Sequence, residues 1–168
     1  LSGSSSLGNL LITDVVGGAN CTVITNTNLE LKGSFTTSNV NSVFNLDGRN
    51  LTIAGNLINA AGATTFTNTT NSTITFNGAT PQIYSPNQSA ATPILTLNNV
   101  LMNHTGTGVS ISATNSPNMV LGTNGFLTLT QGKIITPNTQ EVILTNTANT
   151  AVTTGNTTSF IEGNLRRY

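Results

Sequence analysis

The sequence predicts an all-β fold, a right-handed parallel β-helix (a solenoid) with coils of about 22 residues. Three observations carry the prediction. Short alternating apolar runs begin at a nearly constant step, secondary runs lie between them set off by Gly, Asn or Pro, and the composition suits stacked strands. The 168 residues include 32 Thr, 25 Asn and 14 Ser, so 71 side chains are small, polar and uncharged. Thr, Val and Ile fit a pleated, half-buried surface. No window holds enough Ala, Leu, Glu, Lys, Gln and Arg for three or four helical turns.

In chain order, Leu1 to Gly8 reads as a turn. The main strands are then Asn9-Leu-Leu-Ile, Asn28-Leu-Glu-Leu, Asn50-Leu-Thr-Ile, Ser72-Thr-Ile-Thr-Phe and Ile94-Leu-Thr-Leu, whose starts differ by 19, 22, 22 and 22 residues. Met119-Val-Leu and Val142-Ile-Leu continue at 22 when measured from Leu97 to Met119 and from Leu121 to Ile143. Cys21 to Ile24, Ser42 to Leu46, Thr64 to Thr67, Gln82 to Ser85 and Val109 to Ile111 are the secondary runs. Stacking at about 4.8 Å makes a ladder of each repeat position. The inward rungs are expected to be Leu29, Leu31, Leu51, Ile53, Ile74, Phe76, Leu95 and Leu97. Seven to eight coils then give a rod roughly 35 Å long. An antiparallel β-sandwich stays open as the rival, because Asp47-Gly48, Asn77-Gly78 and Asn124-Gly125 are hairpin-type dipeptides.

Five acids and five bases cancel. The long-range field that steers nucleic acid or anionic lipid is therefore absent, and neither is an expected partner. The single cysteine, Cys21, excludes an internal disulfide and reads as a small buried strand residue. No apolar run approaches the 18 or so residues of a membrane span. The start at Leu1, without a basic and apolar leader, reads as an interior piece of a longer chain. Seven Asn-x-Ser/Thr triplets, at Asn20, Asn50, Asn68, Asn71, Asn87, Asn103 and Asn156, are what so much Asn and Thr produces by chance.

Ser72-Thr-Ile-Thr-Phe-Asn-Gly-Ala-Thr-Pro-Gln-Ile-Tyr, Ile94-Leu-Thr-Leu-Asn-Asn, Phe126-Leu-Thr-Leu-Thr-Gln-Gly-Lys-Ile-Ile-Thr and Ser159-Phe-Ile-Glu-Gly-Asn-Leu-Arg-Arg follow one another in the chain. In order and spacing, from about Leu51 to Arg167, they resemble the repetitive surface modules of Bacteroidetes. The resemblance implies a large secreted or cell-surface protein, exported by type IX secretion, of the group that includes gliding-motility and other giant adhesins. It departs from that pattern where Pro81 precedes Gln82 in place of a Gln-Gln step, and at Ile161-Glu162. It also implies that residues 1–163 are a solenoid section and that 164–168 begin a linker to a following domain. It carries no catalytic residues.

Chemistry is sparse. Glycoside hydrolysis needs two carboxylates about 5–10 Å apart, and Glu141 and Glu162, 21 residues apart, are the only acids at one repeat. They read as solvated acids on neighbouring outward strands. Glu30 with Lys32, and Asp47 with Arg49, read as surface ion pairs. His104 lies in a polar turn without a second ligand, so no metal site is expected, and no cofactor. Thr-x-Thr pairs, as in an ice-binding face, do not follow the repeat. The six Phe fall on strand positions where core packing is the default. Tyr84 beside Ser85-Pro86-Asn87 is the one loose fit to a sugar platform, making Tyr84 and Asn87 the candidate glycan contacts. The expected function is a structural or adhesive stalk or fibre section of an extracellular surface protein, without catalysis. Its partners would be surface glycans or copies of itself. A carbohydrate-binding or carbohydrate-cleaving β-helix and an ice-binding solenoid are the alternatives.

Overall fold

The computed structural model describes residues 6–13, 21–38, 42–59, 66–67, 71–86, 95–114 and 118–168. Among them there is no helix, and every strand pairing is parallel. The chain is a β-solenoid, and the antiparallel sandwich is excluded.

Strands recur in three places per coil. The first face holds β1 (Ser6–Leu7), β4 (Leu29–Leu31), β7 (Leu51–Ile53), β10 (Thr73–Phe76), β13 (Asn99–Asn103) and the start of β16 (Leu127–Ile135). The second holds β2 (Leu10–Ile12), β5 (Phe35–Thr37), β8 (Leu57–Asn59), β11 (Gln82–Ser85), β14 (Val109–Ile111), the end of β16 and β18 (Ser159–Glu162). β16 runs through both faces and bends at Gly132, whose φ is +84°. The third place in each coil is filled by a three-stranded sheet of β3 (Cys21–Ile24), β6 (Ser42–Asn45) and β9 (Phe66–Thr67), then by a four-stranded sheet of β12 (Thr96–Leu97), β15 (Met119–Leu121), β17 (Glu141–Leu144) and β19 (Asn164–Arg167). Seven strands on the second face, at the usual strand spacing, rise about 29 Å.

The expected rungs are all buried, but they do not form one ladder. On the first face Leu29 lies over Leu51, Leu51 over Ile74, Ile74 over Val100 and Val100 over Leu127, steps of 22, 23, 26 and 27 residues. Leu97 belongs to the third place instead, over Leu121 and Leu144, steps of 24 and 23. Leu121 therefore pairs with Leu144, not Ile143. Corners absorb the extra residues while the strands keep register, so a uniform 22-residue coil is corrected to one of variable length. Residues 164–167, expected to open a linker, form β19 and extend the sheet from β17.

Asparagine organises the corners. The Asn28 Oδ1 accepts the Asn50 N–H at 3.0 Å, and the Asn50 Oδ1 accepts the Thr73 N–H at 3.0 Å. On another edge Asn9 Oδ1 takes the Ser34 N–H (2.7 Å), Ser34 Oγ the Asn56 N–H (2.9 Å) and Asn56 Oδ1 the Ile83 N–H (2.8 Å). Backbone donors released where a strand ends are thus held by the neighbouring coil's side chain. Asn56→Ala is expected to lower stability by about 1 kcal/mol, the net contribution of one such bond, with Asn56→Asp retaining most of it; urea unfolding of both variants is the check.

The Asp-Gly signal marks a real turn that is not a hairpin. Asp47 and Gly48 have φ of 47° and 77°, and Arg49 N–H reaches the Leu46 carbonyl at 2.8 Å, the pattern of a type I′ turn. It leads from β6 into β7, which pair with other coils and not with each other. The core packs Phe35 from the second face between Phe44 and Phe66 of the third, with ring centroids at 4.8 and 5.2 Å. Farther along, Phe76 and Tyr84 meet edge to face at 6.3 Å.

Candidate functional site

Strand parity decides which sequence candidates reach solvent. On β11, Gln82 and Tyr84 point inward and Ile83 outward. Tyr84 is completely buried above Leu57 and below Ile111. It is not a glycan contact, and Asn87 lies outside the described residues. Burial pushes the Tyr84 phenol pKa upward, and among the described residues its hydroxyl has no hydrogen-bond partner. Tyr84→Phe is therefore expected to be neutral or to stabilise by about 1 kcal/mol, because it removes an unpaired buried group while keeping the ring. Thermal unfolding of the two proteins checks the sign.

Gln82, the other inward side chain of this strand, closes the polar edge of the core. Its Nε2 donates to the carbonyls of Ile53 (3.2 Å) and Gly55, and its Oε1 accepts the Gly78 N–H at 3.1 Å. His104 is likewise buried, not solvated in a turn. Its Nδ1 accepts the Gly106 N–H at 3.0 Å, which leaves the proton on Nε2 to be donated to the Thr80 carbonyl at 2.9 Å. Both ring nitrogens serve the corner. Among the described residues no three His, Cys, Asp or Glu side chains come together.

The acids separate. Glu141 lies on β17 opposite Asn164, whereas Glu162 lies on β18 opposite Ile135, so the two are on different faces. Each has its own cation, Arg166 at 3.0 Å for Glu141 and Lys133 at 2.9 Å for Glu162. Glu30 and Lys32 do pair on the surface, while Asp47 and Arg49 do not pair with each other. Phe126 is 42 % exposed beside the inward Leu127, and Phe160 is half-buried, so core packing fails for these two of the six Phe. Thr25 is buried and bonds the Leu46 carbonyl at 2.9 Å, which removes it from any outward Thr rank.

What the described surface does offer is concentrated in the last two coils. Lys133, Glu141, Glu162, Arg166 and Arg167 are half of the chain's ten charged residues. Lys133 lies 5.2 Å from the centre of the Phe160 ring and Arg166 lies 5.6 Å from that of Tyr168. Two acid–cation–aromatic sets thus stand on neighbouring faces. Leu129, Val152, Phe160, Ile161 and Leu165 line a groove of about 400 Å³. The Arg166–Tyr168 relation was readable as an i, i+2 pair on one strand face, but only once 164–167 is recognised as a strand.

No known family model matches the chain, and it has no match among curated proteins or solved structures.

Proposed function

We propose that this solenoid is a passive structural and adhesive section, a stalk or fibre segment, of a large extracellular surface protein, and that it performs no catalysis. The observation that supports it best is the continuity of the parallel ladders along the axis, reinforced at the corners by asparagine. Stiffness needs no ligand, and a surface of Thr, Asn and Ser with zero net charge stays hydrated without repulsion between stacked like charges. The resemblance of about Leu51 to Arg167 to Bacteroidetes surface modules supports export by type IX secretion and display at the cell surface, with surface glycans or further copies as partners. Among the described residues no helix is long and apolar enough to cross a membrane.

Pulling single molecules from both ends tests this reading. Coils of 21–28 residues, at about 3.5 Å per extended residue, are expected to lengthen the chain in successive steps of roughly 80 Å as they peel away. A featureless extension contradicts a load-bearing solenoid. So does release of soluble sugar from polysaccharides that is lost in Glu141→Gln, since it would make the section an enzyme.

A further inference from the structure

Phe126 stands in a file that elsewhere serves the ladder. Asn28 and Asn50 each accept an N–H of the next coil, and Asn99 accepts that of Phe126 at 3.1 Å. A phenyl ring has no such acceptor to offer the coil after it. Leu127 pairs with Val152 there, and the N–H of the preceding Ala151 turns to the Ala148 carbonyl at 2.9 Å. The ring gains little burial in exchange, since it stays 42 % exposed with a coil on either side of it. Its backbone is fixed all the same, because the Phe126 carbonyl also accepts the Val100 N–H at 2.9 Å. Leu101 is its diagonal neighbour, for it pairs with Thr128, two residues on from Phe126 and on the same outward side. Around these two apolar groups the face holds hydroxyls and amides, Thr52, Thr75 and Thr128 in the file of Leu101 and Thr73 and Asn99 in that of Phe126. No charged residue stands on β7, β10, β13 or the start of β16.

We propose that Phe126 and Leu101, with the Thr75 and Thr128 hydroxyls and the Asn99 amide, form a contact for a linear neutral polysaccharide lying along the solenoid axis. This rests on the adhesive reading and names its partner class and its site. A pyranose has an apolar C–H face that matches the phenyl ring, and hydroxyls that both donate and accept, as Thr and Asn side chains do. Rungs about 4.8 Å apart lie close to the length of one hexose in an extended chain, so successive sugars meet successive coils. Charge decides against an ionic partner, which finds no counter-ion on these strands. Shape decides against ordered water, because Leu101 and Phe126 interrupt the two polar files.

The test is chemical-shift NMR on the whole chain, titrated with linear neutral oligosaccharides of glucose, galactose, mannose and N-acetylglucosamine of increasing length. The expected result is movement of the Phe126 ring and Leu101 methyl signals, with affinity that rises as the oligosaccharide lengthens. Phe126→Asn should bind about tenfold more weakly, as loss of an aromatic anchor does, and Phe126→Tyr should keep the affinity. The melting temperature of Phe126→Asn should not fall, because asparagine is the residue that serves the ladder in this file; a marked fall would make the ring a packing residue and overturn the proposal. Absence of any neutral sugar at Phe126, full binding in Phe126→Asn, or binding only of acidic sugars also overturns it, as does self-association that Phe126→Asn abolishes without sugar binding. Stepwise extension under force with no sugar binding would sink this contact alone and leave the structural reading standing, whereas sugar binding at Phe126 with featureless extension would sink the load-bearing reading and leave the contact.

Discussion

Phe35→Ala is expected to cost about 3–5 kcal/mol, the range for deleting a fully enclosed aromatic ring. Phe35 is completely buried, and its ring touches those of Phe44 and Phe66 from the opposite wall. The neighbouring rungs on its own face, Leu10 and Leu57, are held in register by the ladders, so they cannot slide in to fill the space. A stack of coils loses cooperativity when one is weakened, because each contacts only its neighbours. The loss should therefore show as local amide exchange in β2, β5, β8 and the Phe44–Phe66 pair before it shows in the last coils. Uniform destabilisation of every strand would contradict nearest-neighbour coupling.

Gly55→Ala should cost about 3 kcal/mol, at the upper end of overpacking penalties. The cause is backbone, not side chain. A Cβ at Gly55 would lie 2.5 Å from the Gly33 carbonyl carbon and 2.6 Å from the Ser34 nitrogen, while Gly55 N–H bonds the Gly33 carbonyl at 2.9 Å. The two coils can accept the methyl only by separating, which breaks bonds on both sides. Gly8 is the internal control: it begins the same stack, since Gly33 N–H bonds its carbonyl at 3.0 Å, but nothing lies within 4 Å of a Cβ there. Gly8→Ala should leave the denaturation midpoint nearly unchanged. Equal losses at both positions would refute the close-approach explanation.

The class of fold was legible because it is written in alternation, and alternation survives changes of corner length. Leu29, Leu51 and Ile74 stack as their spacing suggests. The ladder was lost at Ile94-Leu-Thr-Leu because every face uses the same inward–outward pattern. Alternation says that Leu95 and Leu97 point inward, not which face they serve, and the 26-residue step from Ile74 to Val100 cannot be inferred from an average. Tyr84 was misassigned for a related reason. Its polar neighbours Ser85-Pro86-Asn87 suggested an exposed platform, whereas strand parity turns the ring inward beside Gln82, itself buried to bind the carbonyls of Ile53 and Gly55 and the N–H of Gly78. The asparagine content, legible only as composition, proves to be positional, since Asn9, Asn28, Asn50, Asn56, Asn99 and Asn118 each hold a backbone N–H of an adjacent coil. The last strand, β19, was hidden behind the expectation of a linker at 164–168.

The most direct test of the account is a set of distances along one outward file. Glu30, Thr52, Thr75, Leu101 and Thr128 follow one another in register on the first face. Spin labels placed pairwise on a cysteine-free background should report backbone separations that grow in equal increments of about 4.8 Å per coil, reaching about 10 Å from Glu30 to Thr75 and about 19 Å from Glu30 to Thr128. Linear growth is the signature of stacked parallel coils. Separations that do not increase with coil number, or a broad distribution at Thr128, would contradict the solenoid register and with it the stiff segment built on it.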